Sequence, residues 1–439
     1  MSEGARFWSR FTIVVLIVGL ALRFGMATMF SYDYDVHHWG IVMANMASGN
    51  DLYGLSGYFY TPVWGYILGS MELFQQFVLG VADWGCRVTD ALVLEAYPHS
   101  WISAYVTTLA FALSVKGPLF LADVVVMYLV YRCVMDLTGD RRKAEIGSAL
   151  WFLCPLVIAS PAVQGMFDNI SAMIVLLTLM LAMRRMYFLG GSMIVLAALL
   201  KLFPAALVPI LVVFILRKEG REGFLKPFVS AVIGGIVTCG IVYLPQVLTG
   251  TVMDSLSFIL DRASSGGTGT MTVFQYAVIF VLILALSFIY RRIEDTDEDR
   301  LLLTVSMVAV GLVFLCPPAH QYVVLLIPFL AIYMALNPGR MRIPYAVISV
   351  GGLAFTFVNT FSVLLSSSYY NGLPAMDLIL SAMAAIGPNM SAVFAFTTLF
   401  LFAGILLMLA YVLIYDVLGL RTRLREAFRF VRYGPGGSA

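Results

Sequence analysis

The chain has 439 residues, of which 61% are hydrophobic and 12% are charged, and its formal net charge is +2. Soluble domains carry about 25% charged residues, so this composition excludes a soluble protein and indicates a polytopic membrane protein. The small net charge, with basic residues gathered at one predicted membrane face, gives no support for nucleic-acid binding. No polar stretch is long enough for a separate domain, so we expect one integral membrane domain over residues 1–439.

Apolar segments predict an all-α protein with about 12 transmembrane helices, because a spanning helix needs about 20 apolar residues. The first segment is too long for the apolar part of a signal peptide, so we expect it to be retained. An even number of spans places both termini on one side. The predicted spans are 11–30, 116–136, 144–162, 169–183, 188–203, 205–216, 227–246, 272–290, 301–316, 322–337, 343–364 and 390–416.

The distribution of lysine and arginine orients these spans. Of the 27 basic residues, 22 fall in alternate breaks between spans, in the last turns of a span beside such a break (Arg132), or in the two ends of the chain. Cytoplasmic loops are enriched in lysine and arginine, so these breaks, both termini and the basic tail at 417–439 are predicted to be cytoplasmic. Five basic residues do not follow this pattern: Arg23, Arg87, Lys116, Lys201 and Arg262.

This orientation makes 31–115 a long first external loop, although the loop is not polar. Its segments 60–81 and 101–115 are apolar with scattered polar and aromatic residues. Tryptophan and tyrosine favour the membrane–water interface, so we interpret both segments as amphipathic interfacial helices.

Polar residues on the predicted external side all lie near helix ends. Ionisable groups near the bilayer are costly and indicate a functional site by default, so we expect one external cavity. Structural roles remain open for several of them: Asp35 or Asp168 as helix caps, Lys201 reaching towards head groups, and Arg262 or His320 simply solvated. The residues concerned are Asp33, Asp35, Gln164, Asp168, Lys201, Arg262, His320, Gln321 and Tyr322.

The stretch DYDVHHWGIVMANMASGNDLYGLSGYFYTPVWGYIL (33–68) resembles the first lumenal loop of the GPI mannosyltransferase I (PIG-M) family. The shared positions are Asp33, Asp35, Trp39, Gly49, Tyr53, Tyr58, Tyr60, Thr61 and Pro62. CPLVIASPAVQGMFDNI, ALLKLFPAALVPI and AHQYVVLLIPFLA resemble later elements of the family in the same order. The His-Asn-Phe-Ser-Pro element of the family is absent here, and residues around 80–112 form an insert. Related prokaryotic polyprenyl-phosphate-mannose mannosyltransferases keep one loop acid, which corresponds to Asp35.

The resemblance implies a GT-C fold and sugar transfer from a polyprenyl (dolichyl) phosphate, with mannose as the sugar and a lipid or glycan as the acceptor. Asp35 is the expected general base, and Asp33 orients the acceptor, tunes Asp35 or holds a divalent cation. In an extended loop these two side chains would point to the same side. No cofactor is expected to be required. Lys201, His320, Arg262 and Tyr322 are candidates for the donor phosphate; Asp168, Gln164, Trp39, Tyr58, Tyr60 and Gln321 are candidates for substrate binding.

Three other functions remain open. A lipid-linked-oligosaccharide polymerase or ligase would share the substrate class and the side of the membrane. A secondary transporter would carry its acids near the bilayer midplane, often on broken helices in paired halves. A structural membrane subunit would leave the external acids and bases unexplained. The enzyme interpretation places the protein in the cell membrane of a prokaryote or the ER membrane of a eukaryote, with membrane lipids and a small accessory membrane subunit as further partners.

Overall fold

The computed structural model describes residues 7–54, 58, 60–79, 86–88, 105–107, 109–257, 269–294, 297–315, 320–359 and 390–417. Its α-helices are α1 Arg10–Met29, α2 Asp33–Ala47, α3 Pro62–Leu79, α4 Leu109–Thr138, α5 Arg141–Phe152, α6 Pro155–Ala159, α7 Asp168–Met183, α8 Tyr187–Leu200, α9 Val208–Gly223, α10 Leu225–Thr249, α11 Gly269–Arg292, α12 Glu298–Val313, α13 Ile327–Leu336, α14 Arg342–Asn359 and α15 Met390–Val412. Shorter elements are 3-10 turns at Leu52–Gly54, Phe203–Leu207 and His320–Leu326, and π-helical turns at Ser160–Gln164 and Leu413–Val417.

The described part of the chain is helical, with one exception in the first loop. Each of the twelve predicted spans overlaps a helix, and segment 60–81 contains α3. The prediction of a second interfacial helix at 101–115 is wrong. Residues Tyr105–Thr107 instead form a strand that pairs antiparallel with Cys86–Val88, and α4 begins at Leu109. The β-branched and aromatic residues Tyr105, Val106 and Thr107 favour a strand.

Several helices are suited to crossing a membrane, so the protein is a multi-pass membrane protein. Five described helices are long and apolar enough, and a sixth is formed if α5 and the segment Pro155–Gln164, bent by 49°, count as one span. The helices α7, α8, α13 and α14 are apolar but shorter. The total of twelve crossings and the side on which the termini lie stay predictions.

Three of the shorter helices lie at the centre of the bundle. Most side chains of α7, α12 and α13 are buried, because other helices surround them. By contrast, α10 and α11 expose apolar residues such as Ile236, Ile241 and Val281. An apolar surface of this kind suits contact with lipid tails.

The charged breaks come together at one end of the bundle, which we call the basic end. There Arg184 contacts Asp136, Arg217 contacts Glu298, and Lys218 contacts Asp299. Three helices at this end, α1, α5 and α12, have an N-cap side chain that accepts a hydrogen bond from their first turn. Ser9 accepts from the Thr12 N–H, Asp140 from the Arg142 N–H and Asp297 from the Arg300 N–H. Such caps satisfy amide groups that the first helical turn leaves unpaired. The other end of the bundle, called the opposite end below, contains Asp35, Asp168 and Lys201.

Candidate active site

A buried ion pair lies at the centre of the opposite end. Asp168 is the first residue of α7, and Lys201 directly follows the last residue of α8. Because a short turn joins these antiparallel helices at the basic end, the start of one meets the end of the other. The Lys201 ammonium contacts the Asp168 carboxylate, and both side chains are at most 5% exposed. The same ammonium lies 3.9 Å from the ring centroid of Tyr322. The structure therefore brings together three of the predicted site residues.

Burying the Asp168–Lys201 pair costs desolvation energy, which other contacts of the two side chains must offset. Removing two charges from water carries a penalty of several kcal/mol per ion, which good geometry and further hydrogen bonds must offset. The Lys201 ammonium also lies 4.5 Å from the Phe167 ring centroid, a cation–π contact that stabilises it. Asp168 is less well satisfied: its second oxygen, Oδ2, has no hydrogen-bond donor within the described residues.

The predicted acidic motif lies where α1 turns into α2. Phe30 ends α1 in an extended conformation, and the Tyr32 N–H donates to the Val163 carbonyl at 3.0 Å. The helix α2 then begins at Asp33, so Asp35 is in its first turn and is not its N-cap. A carboxylate is stabilised near a helix N-terminus by the helix dipole. Asp35 is half-buried.

The expectation of an extended loop at these acids is wrong. In a helix each residue turns about 100° around the axis, so positions 33 and 35 lie on different sides of α2. The Cα–Cβ bonds of Asp33 and Asp35 therefore point to different sides of the helix. The side chain of Asp33 lies outside the described part of the structure.

The predicted aromatic residues form a buried cluster with two further rings. Trp39 is fully buried, with its ring centroid 5.5 Å from Trp64 and 5.4 Å from Tyr60. Trp64 in turn stacks on Phe167 at 4.1 Å. Because the cluster faces the protein interior, Trp39 does not belong to an aromatic belt at the membrane interface.

Tyr58 lies beside this cluster and has a structural hydrogen-bonding role. Its hydroxyl donates to the Thr61 carbonyl at 2.9 Å and accepts from the Gly65 N–H at 2.8 Å. Burial raises the pKa of Tyr58 well above its usual value, so the phenol stays neutral. It is 4% exposed and therefore does not face the membrane interface either.

A tight turn places Gln164 next to the acidic corner. Gln164 ends the π-helical turn and is buried, and Gly165 follows in the left-handed conformation with φ of +69°. A Cβ atom at Gly165 would lie 2.7 Å from the Cγ2 atom of Val36, so the close approach of α2 also requires glycine. The Gln164 Oε1 atom has no hydrogen-bond donor within the described residues.

Two buried cations near the site were not predicted to belong to it. Lys116 donates to the Phe30 carbonyl at 2.8 Å and so holds the end of α1. Arg23 contacts Asp123 at 2.7 Å, and Asn169 donates to the other oxygen of Asp123 at 3.1 Å. Both cations were among the five that do not follow the charge pattern. A lysine or arginine inside an apolar run, away from the basic breaks, is the signal that could have identified them.

The remaining predicted residues lie partly or wholly outside the described structure. Arg262 falls in the segment 258–268, which is not described, and only the backbone of His320 and Gln321 is described, in a 3-10 turn. No group of three His, Cys, Asp or Glu side chains within the described residues is arranged to hold a metal. The proposal of a divalent cation near Asp33 stays open, because that side chain is not described.

Comparison with known proteins decides the family. The model of glycosyltransferase family 87 matches residues 93–318, which is more than half of the chain. The chain belongs to glycosyltransferase family 87. Its match includes Gln164, Asp168 and Lys201, while Asp33 and Asp35 precede it. No curated protein matches the chain. This family 87 member is thus a membrane glycosyltransferase, and the resemblance to GPI mannosyltransferase I remains a proposal.

Proposed function

We propose that this family 87 enzyme transfers a sugar, mannose, from a polyprenyl (dolichyl) phosphate to a hydroxyl group of a lipid or glycan. The observation that carries the proposal is the buried Asp168–Lys201 pair at the same end of the bundle as Asp35. Such a site combines a carboxylate in a helical first turn with a lysine shielded from water. Sugar transfer from a glycosyl phosphate needs a base that deprotonates the acceptor hydroxyl and a positive charge that stabilises the leaving phosphate.

In the proposed reaction the acceptor oxygen attacks the anomeric carbon of the donor sugar. Asp35 takes the proton of the acceptor hydroxyl, and the bond from the anomeric carbon to the phosphate oxygen breaks with inversion. The electron pair of that bond leaves with the polyprenyl phosphate. Preorganised cations and hydrogen-bond donors stabilise the developing charge best in a site shielded from water. Lys201 is the described residue best suited to this role, and His320, Arg262 and Tyr322 are further candidates.

Gln164, Trp39, Tyr58, Tyr60, Gln321 and Asp168 are proposed to bind or position the substrates. The excess of basic residues at the basic end supports placing that end, with both termini, in the cytoplasm. The reaction would then occur on the external or lumenal side of a cell or ER membrane, where membrane lipids surround the site. A small accessory subunit is proposed as a further partner.

The proposal is tested by sugar transfer in proteoliposomes. Purified enzyme receives radiolabelled polyprenyl-phosphate mannose and a host lipid extract, and wild type is compared with Asp35→Asn. Removing a general base is expected to lower the rate by about 100- to 10,000-fold. Asp136→Asn is the matched control, because Asp136 is a half-exposed acid at the basic end and should keep wild-type activity.

Each outcome has a clear consequence. Equal transfer by wild type and Asp35→Asn would exclude Asp35 as the base. If wild type transfers no sugar from any polyprenyl-phosphate donor, the donor class is wrong. A lipid-linked-oligosaccharide polymerase or ligase then becomes the better candidate, followed by a secondary transporter.

A further inference from the structure

Besides the Ser31 and Ser160 hydroxyls, four buried polar atoms near the acidic corner have no hydrogen-bond partner within the described residues. Two are donors, the indole N–H groups of Trp39 and Trp64, and two are acceptors, Gln164 Oε1 and Asp168 Oδ2. All four side chains are at most 2% exposed. Native proteins pair nearly all buried polar atoms, because a buried unpaired group loses its hydrogen bonds to water. A cluster of unpaired groups therefore indicates a ligand that supplies the missing bonds.

Aromatic contacts bring both tryptophans to Phe167, and Asp168 and Gln164 lie close to that residue along the chain. Trp39 and Trp64 meet edge to face, with ring centroids 5.5 Å apart. Phe167, the residue before Asp168, stacks on Trp64 at 4.1 Å and lies 6.0 Å from Trp39. Gln164 is three residues before Phe167. The donors come from α2 and α3 of the first loop, whereas the acceptors belong to the helical bundle.

The four unpaired atoms comprise donors and acceptors, which match sugar hydroxyl groups better than a phosphate. A sugar hydroxyl can donate one hydrogen bond and accept others, so several hydroxyls can satisfy two donors and two acceptors together. A fully ionised phosphate only accepts hydrogen bonds, so it cannot satisfy the two unpaired acceptors, Gln164 Oε1 and Asp168 Oδ2. The neighbouring aromatic faces are already occupied by one another, which leaves the indole edges for recognition.

We propose that Trp64 and Trp39 bind hydroxyl groups of the donor sugar through their indole N–H groups, while Gln164 and Asp168 accept hydrogen bonds from that sugar. This inference rests on the proposed function and adds Trp64 to the binding residues. It assigns the lipid phosphate to Lys201 and the sugar to this subsite. The groups are closed off in this structure, so a small separation of α2 and α3 from α7 must accompany binding.

Trp64→Phe tests the inference, because phenylalanine keeps an aromatic ring against Phe167 and removes the N–H group. The KM for the donor should rise about three- to tenfold, as expected for one lost hydrogen bond. The melting temperature in detergent without substrate should stay the same or rise, since an unpaired buried group has been removed. Trp151→Phe is the matched control: its N–H donates to the Asp123 carbonyl at 3.0 Å. That variant should melt earlier and keep the wild-type KM.

Monodeoxy donors sharpen the test. If Trp64 binds a particular hydroxyl, Trp64→Phe should raise the KM for every donor except the one that lacks this hydroxyl. A wild-type KM for Trp64→Phe would overturn the inference, and so would a fall in melting temperature as large as that of Trp151→Phe. These outcomes are separate from failure of the proposed function, which would appear as absence of transfer by the wild-type enzyme.

Discussion

The two ends of the bundle use charge in opposite ways. At the basic end, Arg184 and Asp136 form an ion pair at 2.6 Å with both side chains about half exposed, and water can solvate both charges. At the opposite end, Asp168 and Lys201 are almost fully buried. Asp168 keeps an oxygen without a partner among the described residues. The basic end thus leaves its charges paired and solvated, whereas the opposite end retains buried polar atoms without a partner among the described residues, as binding sites do.

Arg217 shows how the basic end satisfies a charge. Its guanidinium contacts both oxygens of Glu298, each at 2.7 Å, and also donates to the carbonyl groups of Tyr290, Arg291 and Ile293. The Tyr290 and Arg291 carbonyls lie in the last turn of α11 and the Ile293 carbonyl directly follows it, at a helix end where carbonyl groups lack i+4 partners. One side chain therefore joins α9, α11 and α12.

The largest effect on stability is expected from Arg23→Met. The Arg23–Asp123 pair is fully buried, and removing one partner leaves an uncompensated charge that costs about 3–5 kcal/mol of unfolding free energy. Equilibrium unfolding in mixed detergent micelles measures the loss. The double variant Arg23→Met, Asp123→Leu should recover most of it, because neither charge remains. If Arg23→Met is as stable as wild type, Arg23 and Asp123 do not form a buried ion pair that contributes to stability.

Lys201→Met should have the next largest effect, and it should appear in the rate of sugar transfer. Removing one preorganised donor that stabilises developing negative charge lowers kcat by about 100- to 1,000-fold. The test also needs the double variant Lys201→Met, Asp168→Asn, which leaves no unpaired charge in the protein. If the double variant transfers sugar at the wild-type rate, the pair is structural only and Lys201 does not act on the phosphate.

Arg217→Met should reduce stability without a specific effect on catalysis. The variant loses hydrogen bonds to a charged group, which contribute about 1.5–3 kcal/mol, and it leaves the end of α11 unsatisfied. The same unfolding measurement detects this loss, with the exposed residue Arg221 replaced by Met as the control. A change in donor KM for Arg217→Met would indicate that the two ends of the bundle are coupled.

Asp136→Asn should have the smallest effect. Asp136 pairs with both Arg132 and Arg184 at the surface of the basic end. Exposed ion pairs contribute about 0.2–1 kcal/mol, and salt screens them. Unfolding at low and high salt should show a small difference that vanishes at high salt. If Asp136→Asn lost as much unfolding free energy as Arg23→Met, the ion pairs of the basic end would not be weak, solvent-screened contacts.

The sequence alone determined the class of protein, the positions of the apolar helices outside the first loop and the grouping of its basic residues. Hydropathy is a property of consecutive residues, so runs such as 227–246 indicate a helix without knowledge of its neighbours. The resemblance of the acidic motif and of the elements around Asp168 and Lys201 also predicted a membrane glycosyltransferase. The match to glycosyltransferase family 87 over residues 93–318 confirms that class, while the GPI mannosyltransferase I subtype stays a prediction.

Only the tertiary structure decided which of these residues meet. Arg23 and Asp123 are 100 residues apart, and Asp168 and Lys201 are 33 apart, so no local pattern pairs them. The sequence predicts an extended segment at the first-loop acids, but they lie at the start of a helix in which Val36 closely approaches Gly165. Burial also decides the role of each tryptophan. A tryptophan that faces lipid anchors the protein at the membrane interface, whereas one that faces the bundle, as Trp64 does, is a buried hydrogen-bond donor.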